Sequence, residues 1–186
     1  MKRASLILLC LLVFAAPQAF CGGLSFGVGV FGGMDFPILQ TDNASGPIYG
    51  AQGVLKLSGP ISLEPFIYFG SYDAAEFEEF TNDLEGADIT AFGLDATFFR
   101  PMGKGVGPYL LAGVGYYDIG DDGIATAYES QGSRLGWAGG AGLGIGVTPF
   151  LQLDIRGKAH FVTQDGGGSR KSASVTGGLT YYFGVQ

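Results

Sequence analysis

The segment LQLDIRGKAHF, residues 151–161, alternates apolar and polar side chains at nearly every second position. Its apolar positions are Leu151, Leu153, Ile155, Ala159 and Phe161, and its polar positions are Gln152, Asp154, Arg156, Lys158 and His160. A period of two is typical of a β-strand that presents different chemistry on its two faces. The segment therefore predicts a sheet with one apolar face and one polar face.

The same alternation recurs in seven other segments between residues 24 and 183. Their apolar positions run along Leu24–Val30, Tyr49–Leu57, Leu63–Phe69, Phe92–Phe98, Leu110–Tyr116, Leu135–Val147 and Val175–Phe183. Residues that favour turns or loops separate the segments. We therefore expect eight strands of about ten residues each.

The connections between these segments alternate between two lengths. Three are tight and contain glycine or proline, namely Ser58–Pro60, Arg100–Gly107 and Thr148–Pro149. Four are longer and polar, near residues 34–47, 73–87, 118–133 and 162–172. Short connections at one end and long ones at the other are typical of an up-and-down barrel in an outer membrane. The predicted fold is all-β, an eight-stranded antiparallel up-and-down transmembrane β-barrel.

The polar faces of the predicted strands indicate which side of the sheet meets water. A water-exposed face would be rich in Lys and Glu, whereas these faces hold mainly Gly, Ser, Thr and Tyr. Their few charges are balanced in sign: Lys56, Arg156 and Lys158 against Glu64, Asp95 and Asp154. Because an unpaired buried charge is costly, we expect these charges to form a paired network inside the barrel. We also expect that side chains fill the lumen. The apolar faces are then expected to contact lipid.

Glycine makes up 34 of the 186 residues, and the sixth predicted strand is especially rich in it. One face of that strand carries Gly136, Gly140, Gly142, Gly144 and Gly146. A bare strand face usually marks the close approach of another group. We expect that Tyr68, Tyr109 and Tyr182, from other strands, occupy the space above these glycines.

Two other patterns compete with this interpretation. Residues 135–153 contain no charge and include a GxxxG spacing, which occurs in dimers of membrane helices. The density of glycine and the break at Thr148-Pro149 argue against a helix there. Residues 27–32 match the GxGxxG of dinucleotide-binding proteins, but no helical pattern or acidic partner follows. Both patterns are weaker than the period of two.

The first 21 residues have the order of a secretory signal peptide. A basic start at Met1–Arg3 precedes an apolar run at Leu6–Phe14 and a small-residue exit. The apolar run is shorter than the ~20 residues that a membrane-spanning helix needs. We expect cleavage near residues 19–22, which leaves 22–186 as the barrel domain. Lipid attachment at Cys21 is an alternative, although the preceding residues lack the pattern that this processing favours.

The chain is acidic, with a formal net charge of −7 that becomes −9 when Lys2 and Arg3 leave with the signal peptide. Such a surface does not suit nucleic acid, whose phosphates need basic partners. The acidic residues concentrate near two of the long connections and include Asp73, Glu76, Glu78, Glu79, Asp83, Glu85, Asp88, Asp118, Asp121, Asp122 and Glu129. We expect these loops to keep the surface solvated, to contact a partner, or to bridge through divalent cations to lipopolysaccharide.

The last predicted strand carries the sequence GGLTYYF at Gly177–Phe183. It resembles the final strand of the small outer-membrane β-barrel proteins of Gram-negative bacteria, of the OmpA, OmpX and OmpW type. In that family a terminal aromatic residue is read by the barrel-assembly machinery, whereas Gly184–Gln186 follow Phe183 here. The resemblance implies a porin-like barrel in the cell outer membrane, a monomer in contact with the lipid bilayer and lipopolysaccharide.

The resemblance also raises the question of chemistry at His160, the only histidine. Lipid A deacylases of this type place a serine two residues after the histidine, where this chain has Val162. The groups that could complete a catalytic set are Thr163, Ser174, Asp118 and Glu129. We expect a non-enzymatic protein with no catalytic, cofactor-binding or metal site. The alternatives are a narrow conduit for small hydrophobic solutes and a lipid A-modifying enzyme that uses His160.

Overall fold

The computed structural model describes residues 25–38, 45–57, 59–72, 87–101, 104–121, 134–163 and 169–183. These residues form eight β-strands: β1 (Ser25–Ile38), β2 (Gly46–Lys56), β3 (Ile61–Tyr72), β4 (Ala87–Phe98), β5 (Gly105–Asp121), β6 (Arg134–Gly146), β7 (Leu151–Thr163) and β8 (Ser169–Phe183). Consecutive strands pair antiparallel, and β8 pairs with β1, so the sheet closes into a barrel. Closure leaves no open edge of unpaired backbone groups. The predicted fold class is confirmed.

The strands are longer than the ten residues predicted, with 11 in β2 and 17 in β5. The additional residues lie mostly at the ends next to the long connections. There β5 runs to Asp121 and β8 begins at Ser169, inside segments predicted as loops. Backbone hydrogen bonds between strands need no apolar side chain, so polar segments extend the sheet beyond its apolar faces. The predicted loop boundaries near 118–133 and 162–172 are therefore wrong.

The outer face of the barrel is apolar, as the sequence predicts. Five residues from five different strands would converge on a dry centre if the sheet packed as in a soluble protein. They are Leu55, Ile67, Leu94, Leu143 and Ile155, and 37–54% of their surface is exposed. On β7 the intervening polar residues Gln152, Asp154, Arg156, Lys158 and His160 are all buried. The polar face therefore lines the interior, as expected of a barrel surrounded by lipid.

The alternative of a helix through residues 135–153 is excluded. These residues form β6, a short turn and the start of β7. Within the residues that the structure describes, no helix is long and apolar enough to cross a membrane.

The connection between β4 and β5 directs a charged side chain into the barrel. Phe99 has a φ of 66°, in the left-handed region that residues other than glycine seldom adopt. Its N–H donates a hydrogen bond to the carbonyl oxygen of Pro60 at 2.7 Å, which ties the connection to the neighbouring turn. The ring of Phe99 stays exposed, and the next residue, Arg100, is buried. The sequence pattern placed Arg100 only in a tight turn.

Candidate functional site in the barrel lumen

Six charged side chains meet inside the barrel, three acidic and three basic. They are Glu64 on β3, Asp95 on β4, Arg100 in the β4–β5 connection, and Asp154, Arg156 and Lys158 on β7. Each of them is no more than 9% exposed. Buried charges persist in proteins only when they are paired, and these six are paired with one another. We refer to them as the lumen charge network.

Glu64 joins the two arginines of the network. Its Oε1 accepts a hydrogen bond from Arg100, and its Oε2 accepts one from Nη2 of Arg156 at 3.1 Å. The hydroxyl of Thr97 also donates to Oε1, at 2.9 Å. Glu64 lies on β3 and Arg156 on β7, four strands apart in a closed ring of eight. This ion pair therefore crosses the lumen from one wall to the opposite wall.

Asp154 contacts both arginines and the hydroxyl of Tyr109. Its carboxylate accepts hydrogen bonds from Nε of Arg156 at 2.9 Å and from the Tyr109 hydroxyl at 2.7 Å, and it pairs with Arg100 at 3.2 Å. The guanidinium carbons of Arg100 and Arg156 lie 5.3 and 5.9 Å from the centre of the Tyr109 ring. Such cation–π contacts add to the electrostatic stabilisation. The Tyr109 ring is thus fixed at its hydroxyl and contacted by two cations.

Lys158 completes the network on the side of the long connections. Its Nζ donates to both carboxylate oxygens of Asp95, at 2.8 and 3.0 Å, and lies 4.4 Å from the centre of the Phe66 ring. Asp95 is also 3.9 Å from Nη1 of Arg156. Successive ion pairs therefore connect Arg100 to Lys158 through the other members of the network.

The predicted charge pairing is confirmed for five of the six residues that the sequence singles out. The exception is Lys56, which is half-buried and donates instead to the backbone carbonyl oxygen of Arg100 at 3.4 Å. Its expected place is taken by Arg100, which the sequence analysis missed. The inward direction of Arg100 follows from the backbone of Phe99, and no pattern of residue types signals it.

The glycine face of β6 accommodates side chains from neighbouring strands. A Cβ atom at Gly142 would overlap the ring and hydroxyl of Tyr109, as predicted for that tyrosine. At Gly136 the nearest group is instead the ring of Tyr117. At Gly144 the nearest side chains are those of Gln152 and Pro101. The positions predicted for Tyr68 and Tyr182 are therefore wrong. The sequence reveals that the face is bare, but the register between strands decides which side chain fills it.

This close approach predicts that alanine substitutions at two glycines of β6 affect the stability of the barrel very differently. Alanine at Gly142 should destabilise the barrel by about 1–3 kcal/mol, because Tyr109 is held by Asp154 and cannot yield. Alanine at Gly139 points into open space and should be neutral or stabilise by about 0.5–1 kcal/mol. Urea unfolding of both variants in phospholipid vesicles measures the difference, and equal stabilities would contradict the packing described.

A layer of apolar and aromatic side chains occupies the lumen on the side of the long connections. Its buried members are Ile48, Phe66, Tyr68, Ile89, Ala91, Tyr117 and Val162, with Phe31 packed against them. We refer to these residues as the apolar layer. The lumen therefore has two zones, the lumen charge network towards the short turns and the apolar layer towards the long connections, where Asp35 is also buried.

His160 lies between these two zones and is buried, and its two ring nitrogens face hydroxyl groups. Its Nε2 is 3.0 Å from the Ser174 hydroxyl, and its Nδ1 is 3.0 Å from the Tyr117 hydroxyl. Of the other candidates, Thr163 donates to the carbonyl oxygen of Leu135 on the exposed rim. Asp118 is exposed on the outside of β5, and Glu129 lies outside the described residues. The structure thus brings together only Ser174 and His160 from the set considered.

Comparison with known proteins gives a match over almost the whole sequence. Residues 6–184 match the family model described as outer membrane protein beta-barrel domain. A search of the curated proteins found no match.

Solved structures share the fold at low sequence identity. Neisserial surface protein A is 14% identical with a TM-score of 0.62, and the match covers 87% of this chain and 98% of that one. The N-terminal β-barrel domain of OprF from Pseudomonas aeruginosa is 19% identical with a TM-score of 0.58, covering 86% and 97%. OprG from the same organism is 15% identical with a TM-score of 0.56, covering 87% and 96%. These likenesses concern the architecture.

Proposed function

The chain belongs to the outer membrane protein β-barrel family, and from this premise we propose that it is a non-enzymatic barrel with a filled lumen. It lies in the lipid bilayer of a Gram-negative outer membrane. The acidic extracellular loops then provide surface structure or contact a partner. One observation carries the filled lumen, namely the Glu64–Arg156 ion pair that joins opposite walls. A side-chain pair in this position leaves no room for a water-filled channel on the same level.

Planar lipid bilayers test the filled lumen directly. We expect no conductance of porin size from the purified, folded protein, because paired charges and the apolar layer close both zones of the lumen. A general porin in the same bilayers serves as the positive control, and heat-modifiable gel mobility shows that the sample is folded. Stable porin-sized channels would refute this part of the proposal.

Lipid A analysis tests whether the protein is an enzyme. We expect identical lipid A mass spectra from strains that express the unmodified protein, the His160→Ala variant or no protein. The Ser174–His160 pair is buried in the lumen, and the structure gives its histidine a tyrosine rather than a carboxylate as second partner. An acyl chain lost only in the presence of intact His160 would establish an enzyme instead.

A narrow conduit for small hydrophobic solutes is the second candidate, and one feature of the wall favours it. The pairing of β2 with β3 is interrupted between the pairs Gln52–Phe66 and Leu55–Leu63. The two intervening positions, 53 with 65 and 54 with 64, are not paired as the rest of the two strands are. Pro65 lies at this interruption and has no N–H to donate. Faster uptake of a small apolar solute in expressing cells than in deletion cells, abolished by Pro65→Val, would support this function.

Several further parts of the proposal concern maturation and partners. Residues 1–21 act as a signal peptide, and the barrel-assembly machinery reads the aromatic end of β8 at Tyr181 and Phe183. The mature barrel is a monomer, and its loops approach lipopolysaccharide through divalent cations. Most of the acidic residues that would do so lie outside the described residues.

A further inference from the structure

A small cavity lies between the apolar layer and the lumen charge network. Its volume is about 20 Å³, and Phe31, Phe66, Gln52, Ser174 and Thr176 are among the residues that line it. A water molecule needs roughly 10–15 Å³ of such space, so the cavity is large enough for one water and too small for a larger ligand. Its wall is apolar on one side and polar on the other.

Gln52, one of the residues that line the cavity, has a polar atom without a partner within the described residues. Gln52 is only 5% exposed, and its Nε2 donates a long hydrogen bond to the Thr180 hydroxyl at 3.4 Å. No donor from the described part of the chain reaches its Oε1. A buried amide oxygen without a donor is unfavourable, so the site favours a ligand that can donate a hydrogen bond.

The remaining polar groups of the wall can complete the coordination of such a ligand. The Ser174 hydroxyl is 3.0 Å from Nε2 of His160, and the Thr176 hydroxyl lines the same cavity. Each hydroxyl has one donor hydrogen and two acceptor lone pairs. A ligand that donates to Gln52 therefore has two further partners, within the two to four that buried waters usually have.

The charges around the cavity select a neutral ligand. Arg156 and Lys158 line it and would repel a cation, while Asp95 lines it and would repel an anion. All three are already paired, since Lys158 binds Asp95 and Arg156 lies close to it. An ion in the cavity would have to disrupt these pairs.

We propose that the cavity binds one structural water molecule, which bridges Gln52 to the hydroxyls of Ser174 and Thr176. The water joins two chains of hydrogen bonds. One runs from Tyr117 through His160 to Ser174, and the other from Gln52 through Thr180 to Arg100. Because the apolar layer covers the site towards the long connections, the water exchanges slowly with solvent. This role is independent of the proposed function.

A crystal structure of the full-length barrel that resolves ordered solvent gives the direct test. We expect electron density for one water within hydrogen-bond distance of Oε1 of Gln52. Absence of density there, or density for a larger molecule, would overturn the proposal.

Oxygen-17 relaxation dispersion of the protein in detergent gives the test in solution. Gln52→Leu should lose one long-lived water per barrel relative to the unmodified protein. Thr97→Val is the matched control, because Thr97 is also buried, has Glu64 as its hydrogen-bond partner and does not line the cavity, and it should lose none. Heat-modifiable mobility establishes that each variant is folded, and Thr176→Val replaces Gln52→Leu if the latter does not fold. Equal numbers of long-lived waters in all folded proteins would refute the bridge.

Discussion

Replacement of Glu64 with alanine is expected to destabilise the barrel by about 3–5 kcal/mol. Glu64 is fully buried and is the acceptor for both Arg100 and Arg156. Without it, three buried basic side chains share the two carboxylates of Asp95 and Asp154. Removing one partner of a buried ion pair costs more than the pair contributes, because it leaves the other charge uncompensated.

Urea unfolding in phospholipid vesicles measures this effect, with fluorescence of Trp137 as the probe. Trp137 is the only tryptophan of the chain, and it is exposed on the outer face of β6. Lys56→Ala is the matched control, since Lys56 is half-buried and, within the described residues, donates to a backbone carbonyl oxygen rather than to a carboxylate. We expect it to cost about 1 kcal/mol or less. A similar loss of stability in both variants would show that Glu64 is not central to the lumen charge network.

Replacement of Ile67 with arginine is expected to destabilise the barrel by about 2–4 kcal/mol. Ile67 lies near the middle of β3, with its side chain exposed on the apolar outer face. Its sequence neighbours Phe66 and Tyr68 point inward and are buried. A guanidinium at this position must enter the hydrocarbon core or extend to the membrane surface, and both are unfavourable.

The matched control for Ile67 lies on the same strand and the same face. Ser71 is exposed near the loop end of β3, where arginine should cost only about 0–1 kcal/mol in a bilayer. The pair is compared by urea unfolding in vesicles. A loss of stability at Ile67 no greater than at Ser71 would contradict the contact between the apolar face and lipid.

The strands and their orientation could be predicted from sequence because both depend on local patterns. The alternation along Leu151–Phe161 shows which side chains share a face, and the low content of Lys and Glu shows that the polar face avoids bulk water. The ends of the strands were less predictable. At Ser169 the ladder continues through polar residues, since backbone pairing places no demand on side-chain polarity.

The lumen was predictable in composition and only partly in geometry. Balanced charges on the strands indicated a paired network, but the inward position of Arg100 depends on the backbone conformation of Phe99. Likewise, the contact of Tyr109 with Gly142 depends on a cross-strand register that the sequence of either strand alone does not contain. Closure of the barrel determines which side chains meet across the lumen, and closure is a property of all eight strands together.

The wall-to-wall ion pair also constrains the order of events during assembly. Glu64 and Arg156 are 92 positions apart in the chain, and they face each other only when nearly the whole ring is in place. A β3–β4 hairpin inserted singly would bring the carboxylates of Glu64 and Asp95 into hydrocarbon with only Arg100 as counter-ion. Strand β7 would bring Arg156 and Lys158 with only Asp154, so each half would carry an unbalanced charge, which is strongly unfavourable. Curling of the sheet into a ring must therefore accompany its entry into the bilayer. Stepwise insertion of one hairpin after another would leave unbalanced charges in the hydrocarbon core of the bilayer.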